Sequence, residues 1–292
     1  MTRKTSPVAG RRVIITGAAR GIGAALARQL SAHGARVALL GLEPDALAAV
    51  AADSAGAPWR YCDVGDRAQV ETAIDSLVAE LGGLDLLVAN AGVARQLPIV
   101  GGDPEVFEQT LRVNLLGAYY CVRAAGPYIS HKNGYVLLMS SLAAAINLPL
   151  LGAYSASKAG VHAFGTTLRQ EVAHTGAKVG IAYFAELDTD MTSRGFDTAA
   201  AREALSGASL GGKALSGPAP LPPAIDRIER AIARRSRRVV APLWVDPVLW
   251  FNVFVQRMLE QRMRGKSIAR ALEIARDEQS SYTTEQPRRP VA

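Results

Sequence analysis

At 292 residues, 49% hydrophobic and 20% charged, the chain is long enough to bury a sizeable core and has a globular rather than a disordered composition. Cys62 and Cys121 are too few and too far apart for a disulfide framework or a zinc ribbon. No His/Cys/Asp cluster has metal-ligand spacing, and no uncharged apolar run reaches membrane-spanning length. The net charge of +7 gathers at the ends, around Arg3, Lys4, Arg11 and Arg12 and again beyond Ile225. Such a distribution reads as basic tails, with no nucleic acid as partner. Residues 1–10 carry charge but no apolar h-region, and two reduced thiols suit a cytoplasmic location.

Residues 13–16 form a short β-branched run, followed by Gly17-Ala18-Ala19-Arg20-Gly21-Ile22-Gly23 and an alanine-rich helical pattern that stops at Gly34. With a second strand over 36–40 this makes a βαβ unit. Glycines there let the backbone turn tightly, and the helix N-terminus presents unsatisfied N–H groups to an anion such as a diphosphate. Alternation continues. Tyr61-Cys62-Asp63-Val64 ends a third strand, 66–81 is amphipathic, and the strand over 84–89 ends in Asn90-Ala91-Gly92. One long helix is expected over 104–130, containing Asn114, and the strand over 135–140 delivers Ser140 and Ser141. A helix from 154 to 175 and a strand over 179–184 follow. Strands alternating with helices predict an α/β fold, a Rossmann-type doubly wound parallel sheet with helices on both faces. Ligands of such sheets lie beyond the carboxyl ends of the strands, where Gly17, Asp63, Asn90 and Ser141 all fall.

Tyr154-Ser155-Ala156-Ser157-Lys158 holds the chemistry. On a helix Tyr154 and Lys158 share one face. The ammonium is expected to pull the phenol below its ordinary pKa of about 10. A tyrosine so tuned exchanges a proton with an alcohol or ketone oxygen, and Ser141 supplies a hydroxyl to the same oxygen.

Taken together, Thr16-Gly17-Ala18-Ala19-Arg20-Gly21-Ile22-Gly23, Asp63-Val64, Asn90-Ala91-Gly92, Asn114, Ser141, Tyr154 and Lys158 resemble the short-chain dehydrogenase/reductase family, in the subfamily marked by TGxxxGxG, NAG and YxxxK. The matches span roughly residues 10–191 in family order. The resemblance implies an NAD(P)-dependent oxidoreductase. Tyr154 is its general acid/base and Ser141 holds the substrate oxygen. Lys158 binds the nicotinamide ribose, and Asn114 supports a helix kink and a proton-relaying water. The cofactor contacts implied are Thr16, Gly17, Ala19, Arg20, Gly21, Ile22 and Gly23 in the loop, Asp63 and Val64 at the adenine, and Asn90, Ala91 and Gly92 beside the central strand. A homodimer or homotetramer is also implied.

Two departures from the family pattern stand out. Phe184-Ala185 replaces the usual Pro-Gly, leaving Leu187 and Thr189 where the nicotinamide carboxamide is held, with Glu186 and Asp188 nearby. The second strand ends Leu39-Leu40-Gly41-Leu42-Glu43 without the usual cofactor marker, so NAD and NADP both remain open. Arg20 could take a 2′-phosphate, whereas Glu43 could reach a ribose hydroxyl and repel a phosphate.

The expected organisation is a tail over 1–10, the Rossmann unit over 11–243 with a mobile lid at 192–223, and a C-terminal extension over 244–292 that frays at its end. A helix is read over 224–235 and a last strand over 239–242. Within the extension, the aromatic-aliphatic run 244–255 and the arginines after it have three readings. They are a packed helix or subunit face, the wall of an apolar pocket, or a peripheral membrane contact. The substrate expected is a hydrophobic, steroid- or lipid-like secondary alcohol or ketone. A 3-oxoacyl thioester reductase with an acidic carrier, and a non-catalytic dinucleotide-binding scaffold, are the alternatives.

Overall fold

A computed structural model describes residues 6–196, 198–206, 217–263, 265–278 and 282–287. Arg3 and Lys4, Gly211-Gly212 of the expected lid, Arg264 and the last five residues lie outside the described residues. Among those described, seven strands form one parallel sheet: β1 (Arg12–Thr16), β2 (Arg36–Gly41), β3 (Trp59–Tyr61), β4 (Leu86–Ala89), β5 (Tyr135–Met139), β6 (Lys178–Phe184) and β7 (Arg238–Ala241). Their order is β3-β2-β1-β4-β5-β6-β7, so the winding reverses between β1 and β4 and opens a crevice at their carboxyl ends.

The two faces of the sheet follow from the period-two alternation of a strand. Val13 and Ile15 of β1 turn to one core with Leu26, Leu30 and Ile228, while Ile14 turns to the other with Leu40, Leu87 and Leu138. The first core lies under α1 (Gly21–Ala32) and α9 (Leu221–Arg234). The second lies under α3 (Arg67–Leu81) and α5 (Gly117–Ile129). Helix α9 buries Ile225, Ile228 and Ile232 against α1, the apolar stripe of an amphipathic helix. Asp66 caps α3 by accepting from the Ala68 and Gln69 amides, and Gly82 ends it in the left-handed region at φ 72°.

Three elements differ from expectation. The helix expected over 104–130 is α4 (Pro104–Leu111), a π-helical turn at Arg112–Leu116, and then α5. The turn re-aims Asn114 inward. Its Oδ1 accepts from the Val93 amide at 2.8 Å, and its Nδ2 donates to the Val93 carbonyl at 2.9 Å and to Ser157 Oγ at 3.0 Å. Strand β3 stops at Tyr61, because Asp63 turns the chain by accepting from the Gly65 amide at 2.8 Å. Helix α2 (Pro44–Ala52) follows β2, a stretch for which no element was expected.

Around the crevice lie α6 (Gly152–Glu171), α7 (Asp190–Gly195) and α8 (Ala199–Ser206). The extension folds as α10 (Val245–Trp250), α11 (Asn252–Arg262) and α12 (Lys266–Asp277). Helix α12 packs on α8, and Glu278 accepts from the Ala199 and Ala200 amides at the start of α8. Leu259 and Met263 pack with Ile146, which follows β5.

Candidate active site

The crevice holds a cavity of about 770 Å³, within the usual size of small-molecule sites. Its floor is the seam between β1 and β4. Thr16 Oγ1 accepts from the Asn90 and Ala91 amides at 3.0 and 2.9 Å, and Asn90 Nδ2 donates to the Thr16 and Gly17 carbonyls at 2.9 and 3.1 Å. The two strand ends approach so closely that a Cβ at Gly17 would lie 2.7 Å from Ala91 Cα, and Gly17 and Gly21 both have positive φ.

Helix α1 starts here with no side chain capping it and no acidic residue in its first turn. The cradle therefore fits a dinucleotide diphosphate: glycine-lined backbone, free helix N–H groups and the positive end of the helix dipole. Ala19, Arg20, Gly21 and Ile22 line it. Thr16, Gly23 and Asn114 do not; they stand behind the wall, where Thr16 and Asn114 hold the backbone of 90–93.

Just beyond the end of β2, Arg20 and Glu43, read as alternatives from the sequence, are paired with each other. Arg20 Nε donates to Glu43 Oε2 at 2.8 Å, Nη2 engages Oε1, and Nη1 reaches Asp190 at 3.3 Å. Asp63 and Val64 line the neighbouring wall, with Asp63 only 2% exposed.

Ser141, Tyr154 and Lys158 meet at the other end, all buried and all lining the cavity. Ser140 Oγ donates to the Lys158 carbonyl at 2.9 Å and so ties β5 to α6. Lys158 Nζ donates to the Met139 carbonyl at 2.9 Å and lies 5.5 Å from the centroid of the Tyr154 ring. It also borders Gly92, where a Cβ would sit 3.4 Å from Nζ. Ser141 Oγ donates weakly to the Phe184 carbonyl at 3.4 Å.

Phe184 and Ala185 shape the loop where Pro-Gly was expected. The Ala185 amide donates to the Ala241 carbonyl at 3.1 Å, carrying the β6–β7 pairing one residue further. Leu187 and Ala219 form a parallel bridge, so Leu187 and Thr189 are held against the cavity by residues arriving from the far side of the expected lid.

The electrostatics correct one expectation. Tyr154 is not pulled below its ordinary value: burial pushes it up to about 12, against a smaller lowering by the Ser141 hydroxyl. Burial also brings Lys158 down to about 8. Desolvation disfavours both charged forms and outweighs the attraction inferred from i,i+4 spacing.

Several lining residues had no sequence signal, among them Leu142, Leu148 and Phe196, whereas Trp244 belongs to the run that has a pocket wall among its readings. Phe196 stands edge-on to Tyr154 with ring centroids 5.3 Å apart. Among the described residues no His/Cys/Asp/Glu group is arranged to hold a metal.

A lysine whose folded pKa is lowered binds fewer protons folded than unfolded between about 8 and 10.5, so its penalty on stability is full below that window and fades as pH rises through it. Lys158→Met is expected to be more stable than the unsubstituted protein at pH 7, with the advantage shrinking toward pH 10.5. Urea unfolding across that range checks this, and a pH-independent difference would refute it.

The short chain dehydrogenase family model matches residues 11–200. The chain is 37% identical over 175 residues to a D-threitol dehydrogenase of Mycolicibacterium smegmatis, covering 58% of this chain and 67% of that protein. It is 37% identical over 171 residues to a 2-dehydro-3-deoxy-L-rhamnonate dehydrogenase (NAD(+)) of Sphingomonas sp., covering 58% and 68%. It is 33% identical over 274 residues to an 11-beta-hydroxysteroid dehydrogenase-like 6 protein of Arabidopsis thaliana, covering 90% and 79%. A dehydrogenase/reductase from Sinorhizobium meliloti superposes with a TM-score of 0.70 at 26% identity, covering 81% of this chain and 95% of that one. With the sheet order and the crevice in agreement, the chain belongs to the short-chain dehydrogenase/reductase family of NAD(P)-dependent oxidoreductases.

Proposed function

We propose that the protein interconverts a hydrophobic secondary alcohol and its ketone, with Tyr154 as general acid/base. The observation that carries this reading is the meeting of Ser141, Tyr154 and Lys158 on one cavity wall, next to an apolar section formed by Leu142, Ile146, Leu148, Phe196 and Trp244. Bound NAD(P) supplies hydride transfer at the nicotinamide carbon. The protein positions the substrate oxygen and moves the proton.

Tyr154, raised to about 12, is a neutral donor at pH 7 and hands its proton to a ketone oxygen, leaving the phenolate; in the reverse direction that phenolate takes the alcohol proton. Ser141 Oγ fixes that oxygen. Lys158, lowered to about 8, stands beside the Tyr154 ring and would hold the nicotinamide ribose, while Asn114 holds the Val93 backbone from the rear. Leu187 and Thr189 line the cavity where they would border the nicotinamide. The steroid-dehydrogenase name of one relative supports an apolar substrate. An acidic acyl carrier is a poorer fit, because Glu186, Asp188 and Asp190 all face the cavity. A scaffold has no need of this buried proton-transfer set.

The ribose corner favours NAD. Arg20 is already satisfied by Glu43 and Asp190, and a 2′-phosphate placed there would meet the Glu43 carboxylate.

The parts are the Rossmann unit over 11–243 and the extension over 244–292, assembled as a homodimer or homotetramer; exposed Leu116 and Tyr119 beside α5 offer an apolar subunit face. The extension supports each of its three readings with a different part. Its inner side walls the pocket through Trp244 and packs through Leu259, whereas Trp250, Phe251 and Phe254 are 71%, 67% and 70% exposed. With Arg257 and Arg262 nearby, this outer side supports a peripheral contact with lipid headgroups. Among the described residues no helix is long and apolar enough to cross a membrane. The two buried thiols, Cys62 and Cys121, suit the cytoplasm.

Three outcomes follow. Tyr154→Phe should lower kcat by about a hundredfold to ten-thousandfold while leaving NADH binding intact, measured against ketones of increasing apolar area; unchanged turnover would remove Tyr154 from the reaction. Titration by nicotinamide fluorescence should give NADH at least about tenfold tighter than NADPH, with Glu43→Gln narrowing the gap. A preference for NADPH would reverse the cofactor assignment. The protein should co-sediment with anionic vesicles, and the double variant Trp250→Ser, Phe254→Ser should not; absence of sedimentation by the unsubstituted protein would leave that face to a second subunit.

A further inference from the structure

Residues 282–287 return from the extension to the cofactor crevice, well beyond the matched family region that ends at residue 200. Tyr282 pins the segment. Its half-buried ring packs with Leu97, Val106, Phe107 and Ala153, its hydroxyl donates to the Val106 carbonyl at 3.1 Å, and the Arg95 guanidinium stands 5.9 Å from the ring centroid. Two residues on, Thr284 Oγ1 donates to Glu43 Oε2 at 3.4 Å, reaching the Arg20–Glu43 pair. Gln286 Nε2 folds back to the Thr284 carbonyl at 2.9 Å, and Gln109 Nε2 of α4 donates to Gln286 Oε1 at 3.3 Å. Thr283, Thr284 and Gln286 line the same cavity as Gly17, Glu43 and Asp63. The segment is thus strapped from α4 to the end of β2, in front of the corner where the adenosine half of a dinucleotide would lie.

We infer that this strap is part of the cofactor site, with Thr284 a specificity-determining residue that reads the adenosine ribose together with Glu43 and Tyr282 the positioning residue that holds it there. The inference rests on the dinucleotide reading of the cavity. An acidic residue about twenty positions after the glycine loop is the ordinary partner of a ribose 2′-hydroxyl, and here both oxygens of Glu43 are engaged by Arg20. A hydroxyl beside the carboxylate adds a second polar group that can give to Glu43 and accept from the ribose. The strap also borders the corner where a 2′-substituent would lie. A 2′-phosphate would have to displace Thr284 as well as face Glu43, so discrimination against NADP is steric and electrostatic at once.

The test separates the two halves of the cofactor. Full-length protein, Thr284→Val, Tyr282→Ala and a chain ending after Glu278 are titrated with NADH, NADPH and reduced nicotinamide mononucleotide, which lacks the adenosine half. Thr284→Val should weaken NADH by about three- to tenfold, the loss of one hydrogen bond in a partly buried site. Tyr282→Ala and the shortened chain should lose about tenfold or more in NADH affinity, bind the mononucleotide as before, and discriminate less against NADPH. Unchanged NADH affinity in all three variants would overturn the inference. Tighter NADH binding would overturn it too, because the segment would then be a plug rather than a wall. So would an equal loss for the mononucleotide, which reports damage to the whole site. Failure of the unsubstituted protein to bind either NADH or the mononucleotide is a different result: it would sink the dinucleotide reading itself, and this inference with it.

Discussion

The close approach of β1 and β4 at their carboxyl ends is the constraint on which the rest of the molecule depends. Thr16 and Asn90 join the two strand ends through four hydrogen bonds, two accepted by the threonine hydroxyl and two given by the asparagine amide. The seam sits where the winding reverses, so the helices on either side diverge and leave a crevice above it. Glycine at position 17 is required because no Cβ fits between the strand ends. The same seam aims the uncapped start of α1 at the crevice and sets Gly92 beside Lys158 and Asn114.

Burial decides the character of the groups around that crevice. A phenol and an ammonium on one turn of an exposed helix would stabilise each other's charged forms. In this interior both charged forms are disfavoured, so Tyr154 becomes a weaker acid and Lys158 a weaker base. The phenol is therefore neutral at pH 7. At the opposite end the charges are compensated in place, with Arg20 held between Glu43 and Asp190. One end of the cavity is desolvated and the other is ion-paired. On the proposed reading, proton transfer belongs at the first and recognition of a polar ribose at the second.

The C-terminal extension is tied into the site at three levels. Trp244 borders the cavity directly, Leu259 and Met263 support the pocket residue Ile146, and Glu278 caps α8. Residues 282–287 then pass to the ribose corner. The extension thus contacts both ends of the crevice, and among the described residues its outer aromatic face is exposed.

The sequence by itself determined the alternation of strands and helices, the glycine turn before α1, and the order of Asn90, Ser141, Tyr154 and Lys158 along the crevice. These are local properties: β-branched runs, glycine's access to positive φ, and the helical i,i+4 repeat need no distant partner. Local spacing was also enough to place Tyr154 and Lys158 on one helical face, but it misjudged the acidity of Tyr154, which depends on the layers of chain that cover it. The π-helical turn arises because Asn114 is drawn to Val93, and α2 had too weak a pattern to be noticed between Glu43 and Asp53. The pairing of Arg20 with Glu43, and the meeting of Glu43 with Thr284 across 241 positions of sequence, were decided by tertiary structure alone. No period or motif encodes such contacts, since they exist only once the sheet has wound and its two ends have been brought together.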